Sequence, residues 1–200
     1  LGGLGLLRSA HGVRLVSDEI YHGVTYGTGP DAKGVCAREV DEHAIVVSSF
    51  SKYWGMTGWR LGWLLVPQDL RAAVDALAGN IALCPPAAAQ EAAVAAFSEE
   101  SYRQCEAALV DFGRARQVLL DRVPELGWGA AAPADGAFYY WADLGEQLAG
   151  FADAREYASA LLEATGVAVT PGGDFDPVDG SHCVRLSLAA GPEAIAEALE

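Results

Sequence analysis

The chain has 200 residues, 52% of them hydrophobic, and a formal net charge of −14, which suits one or two globular domains with a sizeable core and excludes a disordered chain. With 27 Asp+Glu against 13 Lys+Arg, it lacks the clustered cations that a nucleic-acid backbone requires, and the acidic surface is assigned to solubility. No apolar stretch approaches the ~18–20 residues of a membrane-spanning helix, and the opening LGGLGLLRSA lacks the layout of a signal peptide, so neither a membrane partner nor export is expected.

In chain order, residues 1–10 read as the end of a helix, and the branched run Val13 to Val16 after Gly12 reads as a buried strand. A loop rich in Gly, Asp and Pro covers residues 22–34. Strands follow at Ala44 to Val47 and at Leu61 to Val66, the latter closed by Pro67. Asp69 is the expected N-cap of a helix through LRAAVDALAG, and a second helix, PPAAAQEAAVAAFS, opens on proline. A longer helix is expected from about Glu99 to Val123, with apolar spacing at Leu109, Phe112, Val118, Leu119 and Val123. After Pro124 come the strand-like AFYYWADL, a helix from about Asp153 to Thr165, the strand VAVT, a Gly/Asp loop, the strand CVRLSLA and a closing helix after Pro192. A domain boundary is placed inside the long helix, giving units 1–112 and 113–200.

Cys36, Cys84, Cys105 and Cys183 form no C-x-x-C pair, so neither a metal site nor a redox motif is signalled, and they read as reduced thiols in a cytoplasmic protein. His11, His43 and His182 have no ligand-like spacing. The cations are more informative, because only Lys33 and Lys52 are lysines. Where Arg is so heavily preferred, a lysine among small and apolar residues invites a role that Arg cannot fill, such as losing a proton and condensing with a carbonyl.

Lys52 lies in VVSSFSKYWGMTGWRLGWLLVP, after a strand and three serines, with Arg60 eight residues on among Gly55, Gly58 and Gly62. This segment resembles the cofactor-lysine signature of the class I/II pyridoxal-phosphate-dependent aminotransferase family, of the aspartate-aminotransferase-like fold type I. SDEIYHGVTYG upstream and HCVRLSLA downstream resemble the same family's strand-end and substrate-carboxylate motifs, and PADGAFYYWADL and GVAVTPGGDF match in order. The resemblance implies the C-terminal part of a mainly parallel α/β/α large domain followed by a small α+β domain. It further implies that Lys52 carries pyridoxal 5'-phosphate as a Schiff base and moves the substrate's Cα proton. Asp18 would sit, as a buried carboxylate, at the ring nitrogen, and Tyr21 would donate to the ring 3-oxygen. Ser49, Ser51 and Arg60 would bind the phosphate. Arg185 would grip the substrate carboxylate through a bidentate fork.

Taken singly, these residues read differently: Lys52 and Arg60 as surface cations, Asp18 as part of a solvated turn or a cap, Arg185 as a buried salt-bridge partner, the glycines as turn formers. Their order and spacing together carry the assignment. Trp54, Trp59 and Trp63 are assigned to packing, and the loop at 171–175 stays open between a closing segment and an ordinary turn. The expected activity is transfer of an amino group between an L-amino acid and a 2-oxo acid, in a homodimer. The alternatives are a C–S lyase or a cyclopropane-carboxylate-synthase-like enzyme on the same scaffold, or a truncated, non-catalytic chain. The last arises because the chain begins at Leu1 rather than Met. The Gly-rich phosphate turn, the ring-stacking aromatic and the Asn-Pro motif that the family places earlier are not in the sequence. The 200 residues alone are therefore expected to be inactive and poorly soluble.

Overall fold

Branched apolar runs bounded by turns build the first sheet of a computed structural model that describes residues 11–27 and 32–200. The expected helix end at 1–10 and part of the 22–34 loop lie outside the described residues. Strands β1 (Val16–Asp18), β2 (Ile45–Ser49) and β3 (Gly62–Leu65) align in the order β1-β2-β3, with β1 parallel and β3 antiparallel to β2. The first strand starts later than expected and is not buried, Val13 and Val16 being 60% and 59% exposed. Among the described residues β1 pairs on one side only, so alternation alone does not enclose it. Central β2 is better covered: Val46 packs with Ala37 and Ala44, beneath the short helix α1 (Ala37–Val40) that the sequence did not announce.

Helix α2 (Gln68–Ile81) is capped by Pro67, not by Asp69. Asp69 falls in its first turn, where its carboxylate meets the Arg14 guanidinium at 2.8 Å. That pairing, which holds its pKa below the usual carboxylate range, joins residues far apart in sequence, so a local capping rule misses it. Helix α3 (Ala87–Ala96) begins after Pro86 and presses Ala93 and Ala96 against Phe50. Helix α4 (Glu99–Arg122) follows.

The chain divides within α4 into two compact units, Leu1–Ala107 and Ala108–Glu200; the expected boundary at 112/113 lies in the same helix. The second unit is built on an antiparallel sheet ordered β4-β6-β5, from β4 (Tyr139–Asp143), β5 (Thr170–Pro171) and β6 (Cys183–Ser187). Its core joins Ala115 and Leu119 of α4 to Tyr140, Ala142, Leu188 and Ile195, the last from α6 (Pro192–Ala198). Full burial of a leucine such as Leu119 contributes roughly 1.5–3 kcal/mol. Helix α5 (Ala154–Thr165) starts at Asp153, whose side chain accepts the Arg155 and Glu156 N–H groups at 2.9 and 3.0 Å, and stops at Gly166 with φ +79°. The expected strand VAVT is reduced to Thr170 and its neighbour Pro171. Beyond it the chain enters a 3₁₀ turn, Gly172–Asp174, where a Cβ on Gly172 would come 2.6 Å from the Gly180 carbonyl oxygen. Only glycine permits that approach of the two backbones.

Candidate active site

Strand β2 delivers Ser49 to the rim of the first sheet, and the chain then closes a tight turn. Phe50 N–H donates to the Leu61 carbonyl, Met56 N–H to that of Phe50 and Gly55 N–H to that of Lys52, each at 3.1 Å. Gly55 takes φ +64° there, a left-handed value that a side chain disfavours. An aromatic anchor holds the turn from below: Phe50 packs against Trp54 and Trp63 with ring centroids 5.1 and 5.0 Å away, and Trp54 Nε1 donates to the Ala96 carbonyl at 2.8 Å. Trp54 and Trp63 are thus packing residues as expected, whereas Trp59 is 45% exposed.

Anchored in this way, the turn places Ser49, Ser51, Lys52, Thr57 and Arg60 around one cleft of about 440 Å³. Ser51 N–H donates to Ser49 Oγ at 3.2 Å, and Thr57 Oγ1 donates to the Ser51 carbonyl at 3.0 Å. Arg60 stands in the left-handed region at φ +55°, a conformation that costs a non-glycine residue of order 1 kcal/mol. Its Nη1 donates to the Thr57 carbonyl at 2.9 Å, and both residues line the cleft. Gly62, paired with Ser49 across the sheet, also lines it. A Cβ on Gly62 would lie 2.6 Å from the Ser48 carbonyl oxygen. Gly62→Ala is therefore expected to destabilise the fold by roughly 1–3 kcal/mol through forced backbone separation. An unchanged melting temperature would show that β2 and β3 yield without cost.

Across the cleft, β1 ends in a turn in which His22 N–H donates to the Glu19 carbonyl at 3.0 Å and Val24 N–H to that of Tyr21 at 2.9 Å. This brings the Tyr21 ring to 5.5 Å, centroid to atom, from Lys52 Nζ. Asp18 ends β1 opposite Val47 and accepts the Ile20 N–H on Oδ1 at 3.2 Å. It is exposed and does not belong to the cleft lining. Among the described residues β1, which Asp18 ends, pairs with β2 alone.

Arg185 lies in the second unit, on β6, with Trp141 as its β4 partner. Its guanidinium carbon sits 4.2 Å from the Tyr139 centroid and 4.1 Å from that of Phe175, and its buried Nε has no hydrogen-bond partner. Contact with two rings limits the rotamers of this planar fork, whose geometry matches a carboxylate. Sequence reasoning missed Thr57, Tyr139 and Phe175. The period-two alternation of FYYWAD puts Tyr139 on the Arg185 face once the β4–β6 register is known; Phe175 directly follows the 3₁₀ turn and gave no such signal.

The donor set in the first unit, two serine hydroxyls and a guanidinium beside a primary amine and a phenol, suits a phosphorylated carbonyl compound and does not suit a metal. Among the described residues no cluster of His, Cys, Asp and Glu has metal-holding geometry, and no helix is long and apolar enough to cross a membrane. All four cysteines are free thiols, and burial raises the pKa of Cys36, Cys105 and Cys183, which makes those three poor nucleophiles.

Comparison with known proteins points the same way. Residues 6–200 match the family described as aminotransferase class I and II. A valine–pyruvate aminotransferase of Mycobacterium tuberculosis is 47% identical over 190 residues, covering 95% of this chain and 48% of that protein. An aspartate aminotransferase of Geobacillus stearothermophilus is 34% identical over 205 residues, covering 100% of this chain and 51% of that protein. A solved aminotransferase structure from Mycobacterium tuberculosis matches with a TM-score of 0.92 at 45% identity, over 99% of this chain and 50% of that one. The chain spans about half the length of the relatives it matches.

Proposed function

The chain belongs to the class I and II aminotransferase family, and on that premise we propose that the protein transfers an amino group between an L-amino acid and a 2-oxo acid. Pyridoxal 5'-phosphate is the cofactor of this family; when bound, it supplies the electron sink that stabilises negative charge at the substrate Cα. The observation that carries the proposal is the single cleft in which Ser49, Ser51, Lys52 and Arg60 meet, with Tyr21 facing the lysine amine.

In this reading Lys52 Nζ holds the cofactor covalently and later takes the proton from the substrate Cα. Arg60 and the Ser49 and Ser51 hydroxyls hold the phosphate dianion, the guanidinium by charge-assisted hydrogen bonds that a flexible ammonium reproduces poorly. Tyr21 O–H donates to the ring 3-oxygen. Arg185 holds the substrate carboxylate, clamped between Tyr139 and Phe175 so that little rotamer freedom is lost on binding.

Asp18 is assigned to the ring nitrogen. Because its Oδ1 also accepts the Ile20 N–H, Asp18→Asn separates the two roles: an amide oxygen can keep that turn hydrogen bond but not the charge. Turnover is expected to fall by roughly 100-fold or more with little change in melting temperature. A lowered melting temperature with normal turnover would assign Asp18 to the turn alone.

The relative named for valine and pyruvate suggests these as first substrates; the cytoplasmic homodimer expected from the sequence is kept as the proposed working form. The test is a coupled assay on the full-length, cofactor-loaded protein. Valine-dependent conversion of pyruvate to alanine is expected. Release of ammonia and a 2-oxo acid from an amino acid, with no need for an added oxo acid, would instead establish lyase chemistry.

A further inference from the structure

One side-chain circuit in the first unit lies outside the cleft lining yet joins both turns that flank it. Tyr53, the residue after Lys52, donates its hydroxyl to Glu106 Oε1 at 2.8 Å. The same oxygen receives Lys33 Nζ at 2.7 Å. Lys33 in turn accepts the Gly23 N–H on its backbone carbonyl at 3.2 Å. The ring closes at Gly23, which lies against the face of Tyr53: a Cβ there would come 3.0 Å from Cδ2, and Gly23 takes φ +85°. Gly23 is two residues from Tyr21, and Tyr53 is one residue from Lys52. The circuit therefore connects the two turns whose side chains face each other across 5.5 Å.

We propose that Glu106 is a positioning residue which, through Tyr53 and Lys33, fixes the spacing between the Tyr21 phenol and the Lys52 amine. This rests on the cofactor role given above to those two residues. Glu106 touches neither cofactor nor substrate; it acts on the turn that carries Lys52. The charge states suit this role. Hydrogen bonds from Lys33 and Tyr53 hold the Glu106 pKa below the usual range, while burial and the Glu106 hydrogen bond push the Tyr53 pKa up. The acceptor stays ionised and the donor stays protonated across the neutral range. The Lys33–Glu106 pair is largely exposed, so as an ion pair alone it adds little stability. What it supplies is the location of the carboxylate.

The test uses full-length, cofactor-loaded protein carrying Glu106→Ala, Glu106→Gln or Tyr53→Phe. The first readout is the midpoint of the pH titration of the bound cofactor's absorbance, without substrate. Glu106→Ala and Tyr53→Phe are expected to shift it in the same direction by about half a unit or more, the double variant no further than either single, as for one coupled interaction. Glu106→Gln keeps an acceptor for Tyr53 and should recover most of the shift. The second readout needs no cofactor: in the apo protein, Glu106→Ala should raise amide exchange in the 21–24 and 51–56 turns together. Unshifted titration midpoints, with or without faster exchange, would overturn the proposal and leave Glu106 a stabilising contact only. If the unaltered protein carried no cofactor on Lys52, the assignment of Lys52 itself would fail and the proposal with it, and that result is recognisable before any variant is made.

Discussion

Replacing Lys52 with Arg in the full-length protein is expected to lower turnover by roughly 10,000-fold or more, the largest effect of any single substitution in the cleft. Arginine keeps the charge but stays protonated at all accessible pH, so it neither condenses with a carbonyl nor takes a proton. Little loss of stability should accompany it. The turn is held by Phe50, Trp54 and Trp63 and by the Trp54 hydrogen bond to Ala96, none of which involves the lysine side chain, so melting should stay within about 1 kcal/mol of the parent. Rates measured with saturating cofactor and amino acid check this. A variant within tenfold of the parent would mean that another group carries the chemistry.

The second large effect is expected at Arg185. Lysine there keeps one charge but loses the planar fork and its stacking between Tyr139 and Phe175, so kcat/KM for amino acids should fall by roughly 100-fold or more, as for a lost charged hydrogen bond of about 3 kcal/mol. Cofactor absorbance should be unchanged, because the cleft of Ser49, Ser51, Lys52 and Arg60 is built entirely from residues of the first unit. Loss of cofactor with normal handling of substrate would reverse the assignment.

The chemistry was easier to read in the sequence than its surroundings were. Lys52 stood out because lysine is scarce and because serines and an arginine recur at fixed distances around it; such local spacing survives folding, and the structure gathers Ser49, Ser51, Lys52 and Arg60 into one cleft. Helix α5 was legible for a similar reason, since Asp153 and Gly166 mark its ends locally. What local pattern does not contain is pairing at long range. Asp69 resembles a cap until Arg14, 55 residues earlier, takes its carboxylate. Tyr53 and Glu106 are 53 residues apart, and nothing in the spacing of either indicates the other. The exposure of Asp18 and Val16 depends on which strands flank β1, a property of the sheet and not of the VSD segment itself. Phe175 escaped notice because a 3₁₀ turn set by two facing glycines, Gly172 and Gly180, has no periodicity that would mark an aromatic as facing Arg185.

The central claim, that Lys52 is the covalent carrier of the cofactor, is tested most directly by borohydride reduction of the full-length, cofactor-loaded protein followed by peptide mapping. Within this chain the choice is simple, because its other lysine, Lys33, is paired with Glu106 at 2.7 Å. The account predicts a pyridoxyl label on the peptide containing Lys52 and none on the peptide containing Lys33. A label on Lys33, or on neither, would contradict it.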